Sequence, residues 1–204
     1  MDNKLKEESG YSIVFPVWKK IMKDTSKVAE AKFLHKFIKG YDNRPSVRIS
    51  NPIGTIPDPM IDVILSARLP EADLDVMRIG HRLSMSAENI LGSILEEYIH
   101  TKILPHHWSC CWGNSIKAVD ICSSNGVLYQ IKNRSNSENS SSSAIRDGTD
   151  IHKWFRIDAK TGRTYWNDLN SIIGIPHLFF EEEFAEFCKV LIKSNPAALY
   201  VEAN

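Results

Sequence analysis

Asp120, Gln130 and Lys132 are polar side chains set among apolar neighbours, in the run SIKAVDIC-SSNG-VLYQIKN. Gln130 and Lys132 lie two residues apart, so on a strand both point to one face. SSNG is a tight-turn signal ending in Gly126, and it folds the two halves into a hairpin that brings Asp120 towards Gln130 and Lys132. Around them stand Ile116, Val119, Ile121, Val127, Leu128 and Ile131. Charged groups beside such runs need a reason, because an unpaired charge is costly to bury. Phosphodiester hydrolysis supplies one. A carboxylate binds a hard cation such as Mg2+ through oxygen, and a nearby ammonium orients the attacking water and steadies the added negative charge.

The elements that must position these residues are mostly helical. Lys4 to Gly40 reads as helix, with Thr25 or Ser26 as a cap inside it and Gly40 closing it. YDNRPSVRISNPIGTIPDP reads as a long loop, with a short strand expected at Ser46 to Ile49. Helices are expected at Met60–Ala67 and Glu71–Ile79. A stronger one starts at Ser86, with a buried stripe of Ile90, Leu91, Ile94, Leu95, Tyr98 and Ile99. A last helix is expected over Glu181–Lys193. The order predicts an α/β or α+β domain whose mixed sheet is covered by helices. The 204 residues are read as one domain: a helical N-terminal part about 1–85, a core about 86–170 and a C-terminal helix about 177–194.

Composition narrows the functional classes. Lys plus Arg number 25 and Asp plus Glu 25, so any phosphate contact must come from a local patch rather than a global basic charge. The four cysteines do not have the spacing of a secreted disulfide framework, and the charged start lacks the apolar core of a signal peptide. A cytoplasmic protein with no membrane segment is expected. HHWSCCW groups two His and two Cys, but adjacent ligands do not easily reach one tetrahedral ion. Core cysteines and a solvated His pair are expected there, and Trp108, Trp112 and Trp154 are expected to pack rather than stack on bases.

Asp120, a turn, then Gln130-x-Lys132 resembles the PD-(D/E)XK nuclease core. GSILEE upstream resembles the G-x-x-x-E helix of such nucleases: Gly92 and Glu96 share a face. KNRSNSENSSSSAIRDGTDIHKWFR resembles the segment after the catalytic lysine in type II restriction endonucleases, of the group that cuts GGWCC-like sites. The resemblance covers about Ala87 to Asn170. It implies a restriction-endonuclease-like fold and Mg2+ held by Asp120, Gln130, the Ile131 backbone carbonyl and Glu96, with Glu97 and Glu88 as other choices. Lys132 would serve the attacking water. Double-stranded DNA cut at a near-palindrome implies a homodimer, and the resemblance adds a cognate methyltransferase as functional partner. Two departures stand out. Position 119 is Val where the family has Pro, and Gln130 stands where Asp or Glu is usual, giving a weaker ligand.

The segment after Lys132 is dense in donors. Asn133, Arg134, Asn136, Asn139, Ser141, Arg146, Lys153 and Arg156 are the expected DNA contacts: Arg suits guanine, Asn adenine, and Ser hydroxyls phosphates. Two other readings stay open at this point. One is a repair or mismatch endonuclease of the same fold, and the other a DNA-binding protein that has lost catalysis.

Overall fold

The computed structural model describes residues 3–50, 58–136 and 149–199. Five helices come first: α1 (Asn3–Ser9), α2 (Tyr11–Ile21), α3 (Lys27–Asp42), α4 (Pro59–Ser66) and α5 (Glu71–Ile103). Strands β1 (Trp108–Cys110), β2 (Ile121–Ser123), β3 (Leu128–Arg134) and β4 (Ile151–Ile157) follow, then α6 (Trp166–Ile173) and α7 (Glu181–Ser194). The sheet order is β1-β2-β3-β4, with the first two pairings antiparallel and β3/β4 parallel. The expected mixed sheet with flanking helices and a helical N-terminal region is therefore present.

Local chemistry accounts for most of the helices. Ser26 caps α3, its Oγ accepting the Ala29 N–H at 3.3 Å. Phe33, Phe37 and Tyr41 recur one turn apart and are buried, with Phe33 4.7 Å from the Trp18 ring of α2. Glu71–Ile79 and the helix from Ser86 are not separate, because α5 runs unbroken for 33 residues. Its inner half is fixed by burial of Ile90, Ile94, Leu95, Tyr98, Ile99 and Ile103, and helix propagates outward from that anchor at little cost. The outer half, together with α4, leaves large apolar side chains exposed, among them Ile64 at 70% and Val76 at 69%. α5 packs on β1 and β3, α2 on β1 and β2, and α7 on α5.

Several sequence-based expectations are corrected. The strand expected over Ser115–Cys122 shrinks to Ile121–Ser123. The Asn114 side chain accepts the Ala118 N–H at 3.2 Å, Ala118 takes φ +61°, and the chain turns before it can pair. No strand forms at Ser46–Ile49, where the Val47 and Arg48 N–H groups both turn back to the Arg44 carbonyl at 3.0 Å. HHWSCCW contains β1, and DIHKWFRI contains β4, strands that no alternation in the sequence announces. α6 was also unforeseen; it carries Trp166, which packs on Trp154 of β4.

Gly40 does not end α3. The helix continues to Asp42, and Gly40 instead lets it touch the turn after β1, where an added Cβ would lie 2.1 Å from the Gly113 nitrogen. An interior helical Gly→Ala change ordinarily stabilises by about 1 kcal/mol. Gly40→Ala is expected to do the opposite, lowering stability by roughly 1–3 kcal/mol, because the obstacle is backbone that cannot rotate away. Urea unfolding measures the sign, and a rise in midpoint would refute the contact.

Candidate active site

Asp120 sits at the head of β2, tied on three sides. Its N–H donates to the Tyr129 carbonyl at 2.9 Å, and its own carbonyl accepts the Cys111 N–H at 2.8 Å. Its carboxylate Oδ2 accepts the Ile131 N–H at 2.6 Å. The acid is thus held against β3 between the two residues, Gln130 and Lys132, that share one strand face. Gln130 is buried and Lys132 half-buried. From the other side comes Glu96 of α5, whose carbonyl accepts from the Cys110 thiol at 3.3 Å and so fixes the helix to β1.

Glu96, Asp120 and Gln130 line one cleft of about 460 Å3, whose wall also includes Asn43, Arg48 and Lys117. Burial is the main cause that pushes Glu96 up to about 8. The Asp120 charge pushes the same way, while Lys132 and Arg48 pull it down. Asp120 is pushed up to about 6, again mainly by burial, against the Ile131 N–H and Lys132. Two carboxylates that repel each other in a poorly solvated cleft fit a hard, oxygen-seeking cation. Among the described residues, no three His, Cys, Asp or Glu side chains gather tightly enough to hold an ion. A third side-chain donor would have to be the neutral Gln130 amide. The HHWSCC segment forms no zinc site of that kind. Cys110 and Cys111 are buried free thiols pushed up by burial.

The other sequence candidates separate clearly. Glu97 does not face the cleft with Glu96. It is buried, 3.4 Å from Arg44 Nε, and accepts the Ser46 N–H at 3.0 Å. Glu88 is exposed, two turns upstream of Glu96 and off the cleft wall. Arg156, expected on DNA, is only 8% exposed: its Nε donates to Asn133 Oδ1 at 2.9 Å, and its Nη1 pairs with Glu181. That network joins β3, β4 and α7, so Asn133 and Arg156 are engaged inside the protein rather than on an open face. Arg134, Asn136 and Lys153 are exposed. Asn139, Ser141 and Arg146 lie outside the described residues. Trp154 is buried and donates to the Tyr165 carbonyl at 3.0 Å, and Trp108 and Trp112 are buried too, as packing residues.

Sequence reasoning missed Asn43, Arg48 and Lys117 on the cleft wall. Asn43 and Arg48 come from the end of α3 and a Pro- and Asn-rich loop, Lys117 from the turn before β2. A basic residue beside a turn carries no local mark of the cavity it will enter.

The comparisons agree in direction. Residues 13–193 match the family described as SinI restriction endonuclease. The chain is 36% identical over 171 residues to the type II restriction enzyme Eco47I of Escherichia coli, covering 80% of this chain and 74% of that protein. It is 34% identical over 185 residues to the type II restriction enzyme SinI of Salmonella infantis, covering 87% and 79%.

The paired acids make stability depend on pH. Unfolded Glu and Asp titrate near ~4, below both folded values. Without metal, these two groups therefore hold more protons in the native state than in the unfolded chain from about pH 4 to about pH 8, and their contribution to stability falls as pH rises through that window. Glu96→Gln is expected to flatten the fall and to raise stability at pH 8 by on the order of 1–2 kcal/mol. Urea midpoints at pH 5 and pH 8 in a chelator test this; an equal fall in the variant would contradict it.

Proposed function

The chain belongs to the SinI restriction endonuclease family, and on that premise we propose that it is a type II enzyme that hydrolyses double-stranded DNA at a short, near-palindromic site with Mg2+. The convergence of Glu96, Asp120 and Gln130 on one cleft, with the Lys132 charge acting on both acids, carries this reading. Asp120, Glu96, Gln130 and the Ile131 carbonyl would hold the ion. When bound, it neutralises charge on the phosphate and acidifies water.

The chain's own residues supply the rest. The Ile131 N–H fixes one oxygen of the Asp120 carboxylate, and Asp120 lines the cleft. Lys132, on the Gln130 face of β3, positions the attacking water with its ammonium and offsets the charge that develops on the phosphate. Exposed Arg134, Asn136 and Lys153 lie on and beyond the strands that carry the site, and they contact the DNA along with Arg146, Asn139 and Ser141. Asn133 and Arg156 brace these strands from within.

A near-palindromic site calls for two-fold symmetry. The apolar side chains exposed on α4 and outer α5, among them Met60, Ile64, Val76 and Met77, suit a second copy. No described helix is long and apolar enough to cross a membrane. A cytoplasmic homodimer, with a methyltransferase protecting host sites, completes the reading.

Phage DNA incubated with the protein and Mg2+ is expected to give discrete fragments. Scattered nicks would mark a repair-type enzyme instead, and a gel shift with intact DNA a protein that has lost catalysis. Lys132→Ala is expected to slow cutting by about 100- to 1000-fold while DNA binding persists. Undiminished cutting by that variant would remove Lys132 from the mechanism.

A further inference from the structure

Arg48 differs from Arg44, its neighbour on the cleft wall. Arg44 is engaged: its Nη1 donates to the Tyr41 carbonyl at 2.8 Å, its guanidinium lies 4.0 Å from the Tyr41 ring centre, and Nε pairs with Glu97. Arg48 lines the same cleft as Glu96 and Asp120, yet its Nε is buried and has no hydrogen-bond partner. A buried donor left unmade costs free energy, and a guanidinium offers five donors in a planar fork.

The loop that carries Arg48 is anchored at both flanks. Glu97 of α5 accepts the Ser46 N–H at 3.0 Å. Asn195, just past α7, donates through Nδ2 to the Pro45 carbonyl at 2.9 Å and the Arg48 carbonyl at 2.8 Å. The Ser50 N–H donates to the Ala197 carbonyl at 2.7 Å. Pro45, Ser46, Arg48 and Ser50 are thereby pinned to α5 and to the segment after α7, and they hold a cation with an unbonded Nε at the wall of the acidic cleft. If Arg48 served only to offset Glu96 and Asp120, its Nε would be expected to bond one of those carboxylates, and it bonds neither.

The missing partner is an anion that enters the cleft from outside. A phosphodiester fits: it is singly charged, and its two nonbridging oxygens match the guanidinium fork. Resting on the nuclease reading above, we infer that Arg48 is a phosphate-binding residue, its guanidinium bonding the nonbridging oxygens of a DNA phosphodiester lodged beside Glu96 and Asp120. Glu97, Arg44 and Asn195 hold the loop that presents it.

The test is the salt dependence of binding. Lys132→Ala protein, with and without Arg48→Ala, is titrated with a duplex carrying the cut site mapped with the wild-type protein, over a series of salt concentrations. Loss of one phosphate contact is expected to weaken binding about tenfold and to lower the slope of log affinity against log salt by about one. Arg48→Lys is expected to restore the slope, since it restores the charge. A brace for the loop, or a counter-charge for Glu96, would leave the slope unchanged, and that result overturns the inference. Should Arg48→Ala unfold, Arg48→Gln fills similar space without charge and gives the same comparison. Wild-type protein that neither binds nor cuts duplex DNA overturns the nuclease reading along with this one. Wild-type protein that binds and cuts, with the slope unmoved by Arg48→Ala, overturns the assignment of Arg48 alone.

Discussion

A carboxylate that accepts a backbone N–H from the neighbouring strand cannot swing away without breaking the sheet. The 2.6 Å bond from the Ile131 N–H to Asp120 Oδ2 is such a constraint. It sets one acid at a defined point between Gln130 and Lys132, and the cleft is arranged around it. The turn over residues 115–119 ends where it must for Asp120 to enter the ladder. The thiol of Cys110 holds the Glu96 turn of α5 over the same point. Two acids then share a cleft in which burial raises both above the ordinary carboxylate range.

Adjacent residues on one helix take different places around this cleft. Glu96 and Glu97 are about 100° apart around α5. Glu96 turns to the acidic cleft, while Glu97 turns to Arg44 and the Ser46 N–H. One acid lines the cleft and the next holds the loop that closes its wall. The close approach of Gly40 and Gly113 finishes that wall by letting α3 lie against the turn after β1. Helix, turn and loop thus meet at the cleft through contacts that tolerate little added volume.

The same logic explains why a basic residue in the right segment is not by itself a DNA contact. Arg156 follows a donor-rich stretch and alternates with exposed Lys153 and half-buried Phe155 on β4. Once β4 pairs with β3, its side chain falls beneath α7. Asn133 and Glu181 bond it there, and the Phe184 ring lies 5.3 Å away. Trp166 completes the arrangement by donating to the other Glu181 oxygen at 2.7 Å. This network joins the parallel strand pair to the C-terminal helix, which leads into Asn195, an anchor of the Arg48 loop.

The sequence by itself determined what short-range geometry governs. Turn length across SSNG brings Asp120 opposite Gln130 and Lys132, because antiparallel pairing follows directly from a tight turn. The repeat of Ile90, Ile94, Tyr98 and their neighbours determined the buried face of α5 and kept Glu96 in register with Gly92. Tertiary structure alone decided which glutamate faces the cleft, that HHWSCCW contributes a sheet edge, that β4 runs parallel to β3, and that Arg48 lines the cleft of the two acids. Each of these depends on residues far apart in the chain. Such pairings are selected by the packing of the whole core, and they leave no periodic or turn signature in the segments they join.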